Sequence, residues 1–153
     1  MRVRPSVVIL LVIASSRVVS LAQLQSPESD AIRVTISQNA DGSRTAYEFD
    51  PANHRATAST TDADGKPLGK IRYTLDEANR FATGEVLGPK GQFLYKTIYK
   101  YDGQGRLSDE TQLTKDDAVK LRLVYAYDVN GKQAGYSVYD ADGKLLGQTS
   151  KKR

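Results

Sequence analysis

The sequence lacks several residues on which catalysis and the stability of small exported proteins often depend. It has no cysteine and no tryptophan, and His54 is the only histidine among its 153 residues. Without cysteine, the chain can form neither a disulfide scaffold nor a thiol nucleophile nor a zinc site with cysteine ligands. A single histidine also excludes a site built from several histidines. We therefore expect a protein that is not an enzyme and that depends on the packing of its secondary structure.

Long hydrophobic runs are also scarce, and the most prominent one lies near the amino terminus. A positively charged start with Arg2 and Arg4 is followed by an apolar run over residues 7–14 and by small residues at positions 20 and 22. This order is typical of a secretory signal peptide, here residues 1–22, cleaved after Ala22. The run is much shorter than the ~20 apolar residues of a membrane-spanning helix, and Arg17 follows it closely. The sequence therefore predicts a secreted or periplasmic bacterial protein with no membrane span after cleavage.

Excess charge of one sign is nearly absent from the predicted mature chain. The full sequence carries a formal charge of +4, but Arg2, Arg4 and Arg17 lie in the signal peptide and no acidic residue does, which leaves +1. The remaining basic and acidic residues are interleaved, whereas nucleic-acid-binding proteins concentrate basic residues on one surface. We expect no nucleic-acid partner. Residues 23–30 show no periodicity and are interpreted as a flexible leader.

Short segments rich in Asp, Asn and Gly recur at nearly regular intervals. An Asp that accepts backbone N–H groups and a Gly that supplies a positive φ are typical of tight β-hairpins. Nine such turns separate ten candidate strands, so residues 31–150 are predicted to form one all-β domain, a single antiparallel meander that is open and curved. A closed up-and-down barrel with an interior cavity is the alternative. The turn segments begin at residues 39, 50, 62, 76, 88, 102, 115, 128 and 140.

Between the turns, apolar and polar residues alternate with the period of two that is expected for a strand with one buried face. In segment 121–127, two leucines and two tyrosines share one face, and the intervening residues take the other. Segment 95–101 repeats this pattern with three tyrosines. One face of the sheet is therefore predicted to be apolar and aromatic, and the other to be mixed and hydrated.

Three of the turns share a longer pattern. Residues 101–107 read Tyr-Asp-Gly-Gln-Gly-Arg-Leu, residues 127–133 read Tyr-Asp-Val-Asn-Gly-Lys-Gln, and residues 139–145 read Tyr-Asp-Ala-Asp-Gly-Lys-Leu. The pattern resembles the Y-D-x-x-G-[KR]-x signature of YD repeats, the units of the RHS proteins, over roughly residues 58–150. The resemblance implies an antiparallel sheet in which each repeat supplies a hairpin and its tyrosine stacks on neighbours. It implies no specific function, and the array is short, without a toxin or a cleavage core.

Tyrosines are the main candidates for ligand binding. A row of aromatic rings on a sheet can stack on sugar rings or peptide side chains, with nearby Lys and Asp as hydrogen-bond partners. The alternative is that the rings form the core, since cross-strand aromatic pairs stabilise sheets. By strand parity, Tyr136 and Tyr139 cannot both face inward. The candidate ligand-binding residues are Tyr99, Tyr101, Tyr125, Tyr127, Tyr136 and Tyr139.

Acidic residues offer two weaker candidate sites. The Asp-x-Asp-Gly segments at 62–65 and 140–143 resemble the first positions of a calcium loop, but neither has a glutamate at the twelfth position. We interpret these aspartates as turn caps. Calcium is the one cofactor that they could bind, and only weakly. The adjacent pairs Asp109-Glu110 and Asp116-Asp117 would have to supply any carboxylate-based hydrolysis, although neighbours in a strand point to opposite faces. The aspartates of the two turns are Asp62, Asp64, Asp140 and Asp142.

These observations favour an exported, non-catalytic β-repeat protein that serves scaffolding or adhesion, or that recognises a glycan or another envelope component. One alternative is a carrier that holds a small ligand in the cavity of a β-barrel. A third interpretation is a carboxylate-based glycan hydrolase. An open meander also has two unpaired edges, so a protein partner that adds a strand to an edge is expected to be possible.

Overall fold

The computed structural model describes residues 32–150, which form ten β-strands and a one-turn 3₁₀ helix, Pro51–Asn53. The predicted signal peptide, 1–22, and the predicted leader, 23–30, lie outside the described residues. Within 32–150, no helix is long and apolar enough to cross a membrane. The strands are β1 (Arg33–Gln38), β2 (Arg44–Asp50), β3 (Arg55–Thr61), β4 (Pro67–Leu75), β5 (Phe81–Leu87), β6 (Phe93–Tyr101), β7 (Leu107–Leu113), β8 (Val119–Tyr127), β9 (Gln133–Asp140) and β10 (Leu145–Ser150).

The strands form a single antiparallel sheet in sequence order, from β1 to β10. Each inner strand pairs with the strands before and after it, from Arg33 opposite Phe49 in the first pair to Gly135 opposite Ser150 in the last. The predicted all-β meander is therefore confirmed. The alternative of a closed barrel is wrong, because among the described strands β1 pairs with β2 alone and β10 with β9 alone. The sheet is open, and it has no enclosed barrel interior to hold a ligand.

The hairpins form because each turn satisfies its own backbone groups. In the turn between β6 and β7, Asp102 Oδ1 accepts the N–H groups of Gln104 and Arg106, both at 2.9 Å. Gly105 has a φ of +77°, which glycine adopts without strain. The chain therefore reverses direction with its polar groups paired. The same aspartate cap recurs with Asp62, Asp76, Asp128 and Asp140.

Seven of the described hairpins contain one extra residue just after the turn. Between β6 and β7, Tyr101 lies opposite Leu107 but Lys100 lies opposite Asp109, which leaves Ser108 as a β-bulge. A bulge shifts the alternation of side chains by one residue. Leu107 and Asp109 consequently point to opposite faces of the sheet, although their spacing in the sequence predicts the same face.

The connection between β2 and β3 has a different construction. Its 3₁₀ helix is followed by His54, which adopts a left-handed φ of +50° and is exposed to solvent. The His54 carbonyl accepts the N–H of Leu75 at 2.8 Å, which ties this turn to the end of β4. Asp50 accepts hydrogen bonds from Asn53 and from Arg55 at 2.9 Å. The only histidine of the sequence therefore lies in a structural turn.

The two faces of the sheet differ in composition, as predicted. The register places most tyrosines and small apolar residues on one side, which we call the aromatic face, and most paired charges on the other, which we call the charged face. The aromatic face includes Tyr47, Phe49, Ala56, Ala58, Ile71, Tyr73, Phe81, Tyr95, Thr97, Tyr99, Glu110, Leu123, Tyr125 and Tyr136. The charged face includes Lys70, Arg72, Glu85, Lys96, Lys100, Asp109 and Arg122.

A hydrophobic core lies on the aromatic face of β2 to β6. Ala56 and Ala58 are 2% and 3% exposed. The ring of Phe81 stacks on Tyr73 with 4.0 Å between centroids, and it lies 5.7 Å from the ring of Phe49. Because β2 and β5 are three strand spacings of ~4.8 Å apart, these rings must lean toward each other over the small alanines of β3. The core thus consists of aromatic side chains that converge above a single sheet.

Gly84 on β5 allows side chains of the two neighbouring strands to meet above it. A Cβ atom at this position would lie 2.9 Å from Thr97 Cγ2, and 3.3 Å from both Ile71 Cγ2 and Tyr73 Cδ1. Distances this short are not tolerated in a packed interior. The rings of Tyr73 and Tyr99 accordingly approach to 6.2 Å across β5. Because Gly84 has no side chain, residues of β4 and β6 can pack against each other above β5 and complete the core there.

Candidate functional site

Glu110 on β7 places a carboxylate on the aromatic face. In the sheet register it lies between Tyr99 on β6 and Leu123 on β8. This orientation follows from the bulge at Ser108, after which Asp109 takes the charged face and Glu110 the aromatic face. An acidic side chain is thereby folded into surroundings of tyrosine, threonine and leucine. Such a position is unusual because burying a charge without partners is costly.

Two hydroxyl groups donate hydrogen bonds to the Glu110 carboxylate. The Tyr125 hydroxyl lies 3.1 Å from Oε2, and the Thr97 hydroxyl lies 3.2 Å from Oε1. Thr97 is 1% exposed, so its hydroxyl is removed from water and requires a partner within the protein. These bonds orient the carboxylate. A carboxylate has about four lone-pair positions, so it can accept a hydrogen bond from a further donor.

The same surroundings change the acidity of the groups. Burial raises the pKa of Glu110 above its ordinary value, and hydrogen bonds from Tyr125, Thr97 and Gln112 oppose that rise. Burial also raises the pKa of Tyr125, and the nearby Glu110 carboxylate adds to the increase. The Tyr125 hydroxyl therefore remains a protonated donor at neutral pH.

Partly exposed side chains share the aromatic face with the carboxylate on either side of it along the strands. Tyr136 on β9 lies directly opposite Tyr125, with ring centroids 6.1 Å apart. Gln112 lies two residues beyond Glu110 on the same face and is also partly exposed. Two rings, an amide and an oriented carboxylate are therefore available on one surface. We define the Glu110 site as Thr97, Glu110, Gln112, Tyr125 and Tyr136.

Tyr101 and Tyr127, two of the candidate ligand-binding residues, have hydroxyls that are engaged within the sheet. The Tyr101 hydroxyl donates to the carbonyl of Phe81 at 2.9 Å, and the Tyr127 hydroxyl donates to the carbonyl of Leu107 at 2.7 Å. Each bond reaches back 20 residues along the chain to the start of the strand that directly precedes it in the sheet. Burial raises the pKa of Tyr101 to about 12, with a contribution from Asp76. These hydroxyls fasten neighbouring hairpins together.

Arginines cover the rings of the same two tyrosines. Each arginine comes from the preceding turn at the same end of the strands. The guanidinium of Arg80 lies 4.3 Å from the Tyr101 ring centroid, and that of Arg106 lies 4.5 Å from the Tyr127 ring centroid. Each arginine also forms a 2.7 Å salt bridge with the aspartate four residues before it. We call Arg80, Tyr101, Arg106 and Tyr127 the arginine–tyrosine ladder. It offers little free surface to a ligand.

The remaining candidate tyrosines separate into different surroundings. Tyr99 borders the core, with its ring 6.2 Å from that of Tyr73. Tyr136 faces the Glu110 site, whereas Tyr139 lies on the charged face opposite Arg122. The prediction that Tyr136 and Tyr139 cannot both face inward is confirmed. Of the six candidates, Tyr125 and Tyr136 belong to the Glu110 site, and Tyr99 lies opposite Glu110 at its border with the core.

The two carboxylate pairs are each divided by the strand and turn geometry. Asp109 lies on the charged face, 5% exposed, and its Oδ2 accepts from Arg122 Nε at 2.6 Å. Glu110 lies on the opposite face, so these neighbours do not share a cleft, as parity predicts. Asp117 adopts a left-handed turn conformation and pairs with Lys96 at 2.9 Å. The Asp109–Glu110 pair therefore does not present two carboxylates to one point.

The aspartates considered for calcium act in their own turns. Asp62 Oδ1 accepts the N–H of Asp64, and Asp140 Oδ1 accepts the N–H of Asp142, both at 3.0 Å. The two turns belong to different hairpins, β3–β4 and β9–β10, and so do not combine. No group of three or more His, Asp or Glu side chains suited to a metal ion converges within residues 32–150. Weak calcium binding at either turn remains a prediction.

The role of Glu110 was not predicted from the sequence, where it was considered only as one member of an acidic pair. The bulge at Ser108 determines its face, and bulges are hard to locate from residue types alone. The available signal was an acidic residue on a strand that lies between two tyrosine-rich strands, β6 and β8. Comparison with known protein families gives no match, and comparison with curated proteins gives none either. The resemblance to YD repeats therefore rests on its residues alone.

Proposed function

We propose that this protein is an exported, non-catalytic recognition protein that binds a glycan of the bacterial envelope at the Glu110 site. The observation that carries the proposal is the oriented carboxylate of Glu110, held by Tyr125 and Thr97 on the aromatic face. Export rests on the predicted signal peptide, 1–22. The repeat architecture rests on the resemblance of residues 58–150 to YD repeats, which supply a sheet surface without implying an activity.

The chemistry of the Glu110 site suits a neutral sugar. Sugar rings present an apolar face, which packs on aromatic rings, and a rim of hydroxyls, which bind carboxylate and amide groups. Tyr125 and Tyr136 supply two tilted rings with centroids 6.1 Å apart. Glu110 supplies acceptors next to the Tyr125 hydroxyl, and Gln112 adds an acceptor and a donor on the same face. A sugar hydroxyl can donate to a carboxylate oxygen that already accepts one bond, because each oxygen has two lone pairs.

Binding without hydrolysis is the better proposal for this surface. Glycoside hydrolysis uses two carboxyl groups about 5–9 Å apart across the scissile bond. At β7 the nearest sequence neighbour with a carboxylate, Asp109, faces the other side of the sheet and is paired with Arg122. Glu110 therefore has no adjacent carboxylate partner from its own strand. The proposed role of Glu110 is to accept hydrogen bonds from the ligand.

The proposal is tested by screening the chain from Gln23 against a glycan array and against purified envelope polysaccharides. Tyr136→Ala removes a ring that is not part of the core, and Glu110→Gln removes the charge with little change in shape. Each variant is expected to weaken binding by about tenfold or more, which corresponds to ~1.4 kcal/mol. Tyr139→Ala is the matched control, since it removes the same side chain from the same strand on the opposite face.

Two outcomes would contradict this assignment. Binding that is lost in Tyr139→Ala but retained in Tyr136→Ala would move the site to the charged face. A folded protein that binds no glycan would leave scaffolding as the proposed role. Circular dichroism of each variant establishes that it remains folded.

A further inference from the structure

The first strand of the sheet differs from the others in what it exposes. On the charged face, β4 and β6 carry lysine and arginine, but β1 and the residue before it carry Ile32, Val34 and Ile36. These three side chains are 60%, 65% and 69% exposed. They stand on one side of one strand, two residues apart, and form a continuous apolar row. An exposed row of branched apolar side chains on a strand is a common mark of an interaction site.

The backbone of β1 is also available for pairing on its outer side. Asn39 N–H donates to the carbonyl of Ser43 at the turn, and the hydrogen-bonded pairs alternate along the strands from there. Residues 33, 35 and 37 therefore direct their backbone groups toward β2. The N–H and C=O groups of Val34 and Ile36 point away from the sheet, toward the position that a further strand would occupy.

The opposite edge of the sheet is protected, whereas β1 is not. Natural proteins prevent edge pairing with lysines, prolines or bulges on edge strands. The hairpin that ends in β10 contains a bulge, with Leu146 as the extra residue, and Lys144 precedes the strand. The register of β1 on β2 is regular from Arg33 to Gln38, with neither lysine nor proline nor bulge. The difference singles out β1 as the edge that is built to be covered.

We propose that two copies of this chain associate by antiparallel pairing of their β1 strands. A two-fold axis through Thr35 places Val34 of each copy opposite Ile36 of the other, so that both apolar rows meet on the charged face. Both residues already direct their backbone groups outward, which satisfies the pairing. Arg33 then faces Ser37 of the second copy, and no like charges are opposed. The side chains and outward backbone groups of β1 can therefore pair with those of a second, antiparallel β1.

The size of this contact sets the expected affinity. One pair of six-residue strands buries less than the ~1,200 Å² at the lower limit of standard interfaces. The dimer is therefore expected to dissociate in the micromolar range and to sharpen glycan binding through two linked sites. The association itself does not depend on the proposed glycan site, because β1 lies at the far edge of the sheet from Tyr136.

The test is sedimentation equilibrium of the chain from Gln23 between about 1 and 500 μM, the range in which a micromolar dimer dissociates. The wild type is expected to shift from monomer to dimer across that range. Val34→Lys is expected to raise the dissociation constant by about tenfold or more, because it places a lysine in the centre of the pair. Leu146→Lys makes the same change on an exposed residue of β10 and is expected to leave dimerisation unchanged.

Three results would overturn the proposal. The first is a wild-type chain that stays monomeric at every concentration, as when its own preceding residues cover the edge. The second is dimerisation that survives Val34→Lys. The third is dimerisation abolished by Leu146→Lys, which would indicate head-to-tail pairing of β10 with β1. Since Val34 and Leu146 are exposed, neither lysine is expected to unfold the protein, and circular dichroism checks this.

Discussion

The aromatic face is built differently in its two halves. Over β2 to β5 it is closed by stacked rings, such as Phe81 on Tyr73 at 4.0 Å, and by alanines that are almost fully buried. Over β6 to β9 the same face contains Glu110, whose carboxylate is held by hydroxyl groups, and partly exposed rings such as Tyr136. Both halves are antiparallel hairpins in sequence order, and the aspartate-capped turn occurs in both. The contrast between the two surfaces therefore lies in their side chains.

This contrast separates what the fold requires from what it permits. In the first half, small residues such as Ala58 and Gly84 let large rings meet above the sheet, which is how a single layer gains a core. In the second half, a charged group occupies a site where another apolar residue would pack more simply. Because buried charges are costly, a stable sheet does not need Glu110. Its presence is what directs the functional proposal to the second half.

The largest expected loss of stability comes from adding a side chain at Gly84, above which residues of β4 and β6 pack together. Gly84→Ala places a Cβ atom 2.9 Å from Thr97 Cγ2 and is expected to lower the free energy of unfolding by about 2 kcal/mol. Gly147→Ala, on the same face of β10, meets nothing within 4 Å and is expected to be neutral or stabilising by up to ~1 kcal/mol. Urea denaturation of both variants measures the comparison. Equal changes in the free energy of unfolding for the two variants would mean that the space above Gly84 is not tightly packed.

A smaller effect is expected at the arginine–tyrosine ladder, whose Arg80–Tyr101 contact links the two halves and whose Arg106–Tyr127 contact lies within the second. Arg106→Ala uncovers the Tyr127 ring and is expected to cost about 1 kcal/mol in urea denaturation. Lys132→Ala changes the corresponding basic residue of the following turn, which is exposed, and is expected to stay within about 0.5 kcal/mol of wild type. A larger loss at Lys132 than at Arg106 would contradict the role given to the ladder.

The smallest expected effect is the pH dependence caused by Glu110. Burial raises its pKa in the folded state, so the stability it contributes is fully present below its unfolded pKa of about 4.5 and is lost as the pH rises through the folded pKa. Glu110→Gln cannot titrate, so the variant should gain stability relative to wild type as the pH increases, and the gain should level off above the folded pKa. Urea denaturation from about pH 4 to 8 measures the difference. A gain that shrinks as the pH rises would show that the carboxylate is favourably placed as an anion.

The strands and turns of this fold follow closely from the sequence. Each predicted turn segment coincides with a connection between strands, because Asp and Gly meet local requirements that depend on a few neighbouring residues. The alternation in segments 95–101 and 121–127 correctly predicts one aromatic face. The open sheet was also the favoured interpretation. These features are local, and local chemistry determines them.

The functional surface follows much less from the sequence, because it depends on contacts between distant residues. The bulge at Ser108 turns Glu110 onto the aromatic face, and nothing in the residue types nearby requires it. Gly84 matters because Ile71 and Thr97, from two different strands, occupy the space where its side chain would be. Likewise, the sequence predicts Tyr101 as a ligand-binding residue, whereas its hydroxyl donates to a carbonyl 20 residues earlier in the chain. Such pairings require the register of the whole sheet.

The arginine–tyrosine ladder has a consequence for how long this protein can be. Arg80 and Tyr101 recur as Arg106 and Tyr127, 26 residues later, and each arginine covers a tyrosine of the next unit. A block of two strands has such a tyrosine at one end and such an arginine at the other. If a block is duplicated or deleted, the new neighbours can form the same arginine–tyrosine contact. The array can lengthen or shorten in steps of two strands while the aromatic face keeps its orientation. Its reach is thus free to vary in evolution without a redesign of the fold.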